Sequence, residues 1–416
     1  METGTLVVAI VVVTVVVAGL GSQAAKAEES QVGSDDGASV AAVSEGNNAF
    51  ALDLYALLAK KEGNLFFSPN SISTALAMTY AGARGNTADQ MKQVLRFPVD
   101  GEPLHQCFQA LLAELNEPQD EEEAYELHVA NRLWGQQGYK FLPRFLDLTR
   151  EYYGSELEEL DFANAAEQAR LRINGWVADQ TEDKIRDLIG RGMLHGMTRL
   201  VLTNAIYFLG NWQRPFEKSA TEEGPFYVEP AQEVEARLMR QADYFGYAET
   251  DKLQALEMGY RGDALAMVVL LPKERYGVQE LERSLTSGAL NRMIEGIGHK
   301  KVRVFLPRFR IEDQFNLTGT LQAMGMTDAF GGEADFSGMT TEGVFISAVI
   351  HKAFVDTNEK GTEAAAATAV MMVGSAAPGP PPPPPPVFRA DHPFVFLIRD
   401  VRSGSILFMG RVANPA

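Results

Sequence analysis

Apolar residues recur at helical spacing in three segments near the start of the chain. In the first, which begins after Asn48, four apolar side chains share one helix face: Phe50, Leu54, Leu57 and Leu58. Ser71 can cap a second helix, which ends near Gly82. A third begins with the capping box Thr87-Ala88-Asp89-Gln90 and turns three residues inward: Met91, Val94 and Leu95. The pattern therefore predicts an early helical region.

Later in the chain, short apolar runs, several of them ended by proline or glycine, predict strands. The candidates are residues 200–209, 265–271, 302–306, 344–355, 394–398 and 406–412. Helices come mostly early and strands mostly late, without the regular strand–helix repeat of a doubly wound fold or a hydrophobic repeat at a fixed period. We therefore predict an α+β protein with large mixed β-sheets.

Residues 359–373, which read E-K-G-T-E-A-A-A-A-T-A-V-M-M-V, have the composition of a strand. Alternate residues form a set that is small or apolar throughout: Thr362, Ala364, Ala366, Thr368, Val370 and Met372. Because strand side chains alternate between faces, this set can line one buried face of a sheet. Seven prolines follow at residues 380–386, and they favour an exposed, extended polyproline II spacer. The segment is thus typical of a loop in one state and a strand in another.

The composition indicates one large globular domain. The chain has 416 residues, of which 46% are hydrophobic, and no linker-like stretch divides residues 48–370. Its net charge of −18 argues against nucleic acid as a partner, because binding a polyanion requires clusters of Lys and Arg. The single cysteine, Cys107, excludes an internal disulfide and is predicted to be a small core residue, with a reactive thiol as the alternative.

The N-terminal segment predicts export. Residues 6–20 are almost wholly apolar, at a length suited to the core of a signal peptide and short for a spanning helix. Ala25 and Ala27 suggest cleavage after residue 27, so residues 1–27 are interpreted as a signal peptide. Glu2 and the absence of Lys or Arg before residue 6 leave a membrane anchor as the alternative. Residues 28–47 are predicted to be a flexible leader, and the protein to be secreted or extracytoplasmic.

The usual enzyme and metal motifs are not found in the sequence. The six histidines form no H-E-x-x-H or other close metal-ligand spacing, and there is no G-x-S-x-G motif, phosphate loop or dinucleotide fingerprint. We therefore predict a protein that is not an enzyme and uses no cofactor or metal. A hydrolase whose Ser-His-Asp triad is assembled from distant residues is the alternative.

Four motifs resemble the serpin family, including its exported bacterial members. The run Glu359-Lys360-Gly361-Thr362-Glu363-Ala364-Ala365-Ala366-Ala367 resembles the proximal hinge of inhibitory serpins. The others are the signature after the reactive loop at residues 388–396, the start of helix B at 64–73, and the central strand with its breach at 203–212. Similar matches run from about residue 48 to 415. Four motifs in the family's order make the resemblance specific.

The resemblance implies the serpin fold, with helices packed around large β-sheets and an exposed reactive-centre loop at about residues 359–387 of a domain spanning 48–416. In serpins, a protease attacks this loop, and the loop then inserts into the main sheet while the protease is covalently attached. The chain is therefore expected to be a monomeric suicide inhibitor of serine proteases. A serpin that is bound or cleaved without trapping is the alternative. The absence of charge, proline or bulk at the entering positions of the hinge favours inhibition.

The resemblance also assigns individual residues. It implies a polar shutter beneath the main sheet, made of Ser68, Ser71, Asn204 and His351, and a breach tryptophan at Trp212. The family's usual spacing from the hinge glutamate places the cleaved bond between Ser375 and Ala376. Small residues there favour elastase-like or subtilisin-like targets, and Met372 leaves a chymotrypsin-like target as a lesser alternative. Heparin is not expected to bind, because Glu121, Glu122 and Glu123 occupy the region that would need to be basic.

Overall fold

A computed structural model of the chain describes residues 39–116, 125–362 and 384–416. The helices in these residues are α1 Val40–Leu58, α2 Pro69–Tyr80, α3 Gly85–Leu95, α4 Glu102–Leu115, α5 Pro143–Tyr153, α6 Phe162–Gln180, α7 Val278–Ser284, α8 Ser287–Glu295 and α9 Thr318–Met324. The strands are β1 Leu65–Phe67, β2 Tyr125–Gln136, β3 Glu158–Leu160, β4 Leu200–Asn211, β5 Glu222–Glu229, β6 Gln232–Glu249, β7 Leu253–Gly259, β8 Leu265–Pro272, β9 Gly298–Pro307, β10 Phe309–Asn316, β11 Ile346–Thr357, β12 Gly361–Thr362, β13 Val387–Arg389, β14 Phe394–Asp400 and β15 Ile406–Val412.

The strands form two mixed sheets. The six-stranded sheet has the order β10-β11-β12-β4-β2-β3, and β11 also pairs directly with β4. The nine-stranded sheet has the order β1-β15-β14-β8-β7-β6-β9-β13, with β5 paired to β6. Parallel pairs, such as β4 with β11 and β9 with β13, stand beside antiparallel ones. The predicted α+β fold with large mixed sheets is confirmed.

Strand β4 is buried on both faces at the centre of the six-stranded sheet. Ile206 and Phe208 belong to a core shared with the nine-stranded sheet. Ala205 and Tyr207 belong to a second core, which also contains residues of α6. Burial on both faces explains why β4 is a nearly continuous apolar run and was readily predicted as a strand.

The predicted helix starts need correction. Helix α2 is capped by Ser68 rather than Ser71, because proline occupies its first position and the Ser68 hydroxyl accepts from the backbone N–H of Ser71 at 3.2 Å. The capping box of α3 does not form, since the helix already begins at Gly85. The Thr87 hydroxyl instead accepts from the backbone N–H of Asp335 at 3.0 Å.

The first helix begins earlier than predicted, and part of the presumed flexible leader is helical. Residues 40–47 form the first turns of α1, which is capped by the Ser39 hydroxyl. Val43, Ser44 and Asn47 are buried, and the Ser44 hydroxyl bonds that of Ser405 at 2.7 Å. These tertiary contacts order a segment whose composition suggested flexibility.

Two further predictions concern the N-terminus and Cys107. The proposed signal peptide, its alternative as a membrane anchor, and the leader up to residue 38 lie outside the described residues. Within the described ranges, no helix is long and apolar enough to cross a membrane.

Cys107 on α4 is buried in the core, as predicted for a small core residue.

Candidate functional site

Strand β12 enters the six-stranded sheet between two strands that elsewhere touch each other. Its residues pair antiparallel with β4, Gly361 opposite Asn211 and Thr362 opposite Gly210. Thr362 also pairs with Thr357 at the end of β11. Beyond this point β4 and β11 pair directly and in parallel, as far as the start of both strands. The short strand β12 is therefore a wedge at one end of a parallel pair.

Trp212 and Tyr260 hold this wedge in place. The side chain of Thr362 is completely buried, and its hydroxyl lies 3.0 Å from that of Tyr260. The Tyr260 ring stacks on Trp212, with centroids 4.6 Å apart. The indole N–H of Trp212 donates to the backbone carbonyl of Asn358 at 3.0 Å. The backbone N–H of Trp212 donates to the backbone carbonyl of Lys360 at 2.7 Å. Trp212 thus contacts the residues of the hinge, and its assignment as the breach tryptophan stays a prediction.

Gly361 is required by the close approach of two backbones. A Cβ atom at this position would lie 2.0 Å from the carbonyl oxygen of Gly210 and 2.7 Å from the Cα of Asn211. Neither obstacle is a flexible side chain. The structure therefore gives this glycine a steric role, because only a residue without a Cβ atom fits between the two backbones.

Substituting Gly361 by alanine is expected to expel β12 from the sheet. The added methyl group would overlap β4, so the hydrogen bonds of residues 361 and 362 would be lost. Amide hydrogen exchange of this segment, followed by mass spectrometry, should accelerate at least tenfold. Gly298→Ala on β9 is the matched control, because no atom lies within 4 Å of the added Cβ there. Equal exchange in the Gly361→Ala variant and the unsubstituted chain would contradict this steric role.

Glu359 anchors the residues just before the wedge. Its carboxylate is buried, and it accepts hydrogen bonds from the Arg308 guanidinium at 2.7 Å and the Thr221 hydroxyl at 2.5 Å. Burial alone would raise the pKa of Glu359, but the hydrogen bonds from Thr221 and Arg308 outweigh it and lower the pKa. The backbone carbonyl of Glu359 also accepts from the N–H of Phe216 at 2.7 Å. The start of the hinge is thus held to the rest of the protein by the side-chain contacts of Glu359 and by a backbone hydrogen bond.

A polar cluster of five residues lies where α2 meets the middle of the six-stranded sheet. Asn131 on β2, Asn204 on β4 and His351 on β11 are side by side in the register of the three strands. Ser68 and Ser71 come from the start of α2. All except Asn131, which is partly exposed, are buried. The four residues predicted as a shutter therefore meet, and their role in insertion stays a prediction.

The hydrogen bonds of His351 determine its tautomer. Its Nε2 accepts from the backbone N–H of Ser68 at 3.1 Å, so this nitrogen carries no proton. Nδ1 therefore carries the proton and donates it to the Asn204 side-chain oxygen. The Ser68 hydroxyl donates to the carbonyl of Leu407 at 2.6 Å. Ser68 and His351 thus lack the hydroxyl–imidazole contact that a catalytic triad requires.

Asn204 connects the histidine to the rest of the cluster. Its amide nitrogen donates to the Ser71 hydroxyl at 2.5 Å and to the side-chain oxygen of Asn131. Ser71 in turn donates to the same Asn131 oxygen at 3.2 Å. Asn131 was missed because β2 was not among the predicted strands. The signal was present, since the apolar Tyr125, Leu127 and Val129 alternate with the polar Glu126 and His128, as in a half-buried strand. The position of Asn131 opposite Asn204 follows only from the pairing of β2 with β4.

Burial lowers the pKa of His351 to about 3, so acid is expected to destabilise the fold through this residue. Below the ordinary histidine pKa of about 6.5, the unfolded chain binds a proton that the folded chain does not. The free energy of unfolding should therefore fall from pH 6.5 downwards, by about 2–3 kcal/mol at pH 4.5 from this group. Urea unfolding at pH 7.0, 5.5 and 4.5 measures the slope.

His351→Gln should reduce that slope, because glutamine binds no proton. Burial also lowers the pKa of His105, to about 4, in the same direction, so His105→Gln serves as the control that keeps the His351 contribution. An equal pH slope in the His351→Gln variant and the unsubstituted chain would contradict the assignment.

The remaining predicted site residues lie outside the described part of the chain. These are the rest of the hinge, Glu363, Ala364, Ala365, Ala366 and Ala367, and the predicted cleavage bond between Ser375 and Ala376. The acidic run at residues 121–123, which argued against heparin, lies outside it as well.

The geometry can be compared with known proteins. Residues 45–415 match the family model described as Serpin (serine protease inhibitor). The chain is 42% identical over 394 residues to Serpin B3 of Homo sapiens, covering 90% of this chain and 99% of that protein. It is 44% identical over 385 residues to Leukocyte elastase inhibitor of Equus caballus, with the same coverage. The solved structure of uncleaved ovalbumin superposes with a TM-score of 0.81 at 31% identity, covering 90% of this chain and 100% of ovalbumin.

Proposed function

The chain belongs to the serpin family, and from this premise we propose that it inhibits serine proteases as a suicide substrate. A target protease attacks the reactive-centre loop and forms an acyl-enzyme. The loop then inserts between β4 and β11 and carries the attached protease with it. The single observation that supports this proposal best is β12, whose Thr362 pairs with both strands between which the loop would enter.

The register of β12 extends consistently into the loop. Because β12 runs antiparallel to both neighbours, each further inserted residue moves one position back along β4 and β11. Continuing the pairing with β4 brings Thr368 opposite Asn204, and continuing the pairing with β11 brings the same threonine opposite His351. The two continuations agree because Asn204 and His351 are themselves neighbours in the parallel ladder.

This register explains the polar cluster. Insertion would separate Asn204 from His351 and break their hydrogen bond, and an unpaired buried polar group costs about 1–3 kcal/mol. The hydroxyl of Thr368 can both donate and accept, so it can pair with the two separated side chains. Thr368, one of the two polar residues in the alternate set, thus falls at the position where the sheet needs a hydrogen-bonding side chain.

The alternation of the loop also fits the sheet. The side chain of Thr362 faces Tyr260 in the core shared by the two sheets. Residues two, four and more positions later would face the same way, and these are the small or apolar members of the set that begins with Thr362. The same register brings Met372 opposite Leu200, the first residue of β4. The strand would then be complete just before the predicted cleavage bond.

The target is proposed to be an elastase-like or subtilisin-like protease. Residues 373–377 are all small and uncharged, and no Lys or Arg occurs between Thr362 and Val387, as a trypsin-like protease would need. The similarity to proteins named Leukocyte elastase inhibitor supports the same class.

The test is to mix the chain with elastase and, separately, with subtilisin. Denaturing gels and intact mass spectrometry should reveal a covalent complex of summed mass and a released peptide that begins at or near Ala376. Each protease inactivated at its catalytic serine is the control and should give no complex. Cleavage that leaves both proteases active would favour the alternative, a serpin that is cut without trapping. If neither protease cleaves the chain, the proposal that the reactive-centre loop is accessible to these proteases is contradicted.

A further inference from the structure

Three potential metal ligands converge away from the hinge. They are Glu126 and His128 on β2, and Glu182 in the turn after α6. One oxygen of each carboxylate and one imidazole nitrogen lie within 4.8 Å of one another. We propose that these three residues form a binding site for a divalent transition-metal ion, with Zn²⁺ as the ion that suits them best.

The fold brings the three side chains together. Glu126 and His128 are two residues apart on one strand, so their side chains leave the same face of the sheet. The His128 ring stacks on Tyr207 of the neighbouring strand, with centroids 5.7 Å apart, which fixes its orientation. Helix α6 ends at Gln180, and the turn that follows brings the exposed Glu182 over this face. The site therefore bridges two elements that are far apart in sequence.

The distances suit a metal. The Nε2 atom of His128 and the Oε2 atom of Glu126 are 2.9 Å apart. The two atoms are joined by a hydrogen bond. In a tetrahedral zinc site, two ligands at about 2.1 Å from the ion are about 3.4 Å apart, so the pair needs to open by only about half an ångström to hold the ion. Glu182 is exposed and can complete the set by rotating its side chain. Three protein ligands would leave a further position for water, as in open zinc sites.

The local charge also favours a cation. Two carboxylates approach each other in a chain of net charge −18, and Glu182 has no hydrogen bond or ion pair to any residue in the described ranges. Lys184 places its ammonium over the ring of Tyr207, the tyrosine on which His128 stacks, at 5.4 Å from the ring centroid. An imidazole with two carboxylates suits zinc, whereas calcium and magnesium prefer oxygen ligands alone.

This site was not predicted from the sequence. Searching for closely spaced histidines could not find it, because one histidine is combined with glutamates from two different elements. When bound, the ion would link the segment between α6 and β4 to β2. Binding should therefore slow hydrogen exchange in residues 181–199.

The experiment is a titration of the full chain, stripped of metal by a chelator, with Zn²⁺ alone, followed by calorimetry. One ion per chain is expected to bind, and His128→Gln and Glu182→Gln should each weaken binding at least tenfold. His299→Gln, which removes another exposed histidine, is the matched control and should leave the affinity unchanged. Hydrogen exchange of residues 181–199 should respond to Zn²⁺ in the unsubstituted chain and not in the His128→Gln variant.

Absence of saturable binding would overturn the proposal. Binding of equal strength in the His128→Gln variant would place the ion elsewhere and overturn it as well. Neither result bears on protease inhibition, because the titration uses no protease and leaves the hinge residues unchanged.

Discussion

Replacing Thr362 with arginine is expected to convert the proposed inhibitor into a substrate. Thr362 is fully buried between β4 and β11 with its hydroxyl 3.0 Å from that of Tyr260, so no room exists for a longer side chain. An unpaired guanidinium in this position would be buried at a cost far above the gain from the first inserted residues. Insertion would then be slower than hydrolysis of the acyl-enzyme. The number of inhibitor molecules consumed per protease inhibited should rise at least tenfold, measured by titrating elastase activity.

Two control variants sharpen this experiment. Thr362→Ser keeps the hydroxyl. Thr362→Val keeps the size of the side chain and leaves the buried Tyr260 hydroxyl without this partner, at a cost of about 1–3 kcal/mol. Neither variant buries a charge, so both should remain inhibitors. The arginine variant should still be cleaved at the same bond, because the substitution lies outside the region that the protease reads. Undiminished formation of the covalent complex by Thr362→Arg would contradict insertion between β4 and β11.

Cleavage of the loop is expected to raise the melting temperature of the protein by about 20 °C. Insertion of the residues from 363 to 372 would add strand hydrogen bonds worth about 1 kcal/mol each and would bury the small and apolar alternate set. Together these contributions are on the order of 15 kcal/mol. For a chain of this length, 1 kcal/mol shifts the melting temperature by roughly 1–2 °C. Calorimetry before and after cleavage by a protease that is not trapped measures the difference.

The Thr362→Arg variant is the matched control for this measurement. It has the same sequence after the hinge, yet its cleaved loop should not enter the sheet readily, so its melting temperature should rise much less. A cleaved but unsubstituted chain that melts at the original temperature would mean that the native form is already the most stable one. The proposed trapping mechanism would then lack its driving force.

The contiguous motifs of the chain were sufficient to predict the family and the class of fold. The hinge run, the small alternate set and the strands at 200–209 and 406–412 are local patterns, and each is legible because apolar or small residues recur at a fixed spacing. Four of the five residues of the polar cluster were identified through the family resemblance, and the structure brings them together. The sequence therefore predicts a structural feature well when all the residues that form it lie within one continuous segment.

Other features were decided by contacts between distant segments. The pairing of β2 with β4 places Asn131 opposite Asn204, and the turn after α6 brings Glu182 to Glu126 and His128 of β2; neither proximity follows from the pattern of β2 alone. The early start of α1 depends on its packing and on a hydrogen bond to Ser405. The steric role of Gly361 depends on how closely the carbonyl of Gly210 approaches. The register of β12 was fixed in the same way, because hydrogen bonds between distant strands, rather than the spacing of residues along one strand, decide which residues face each other.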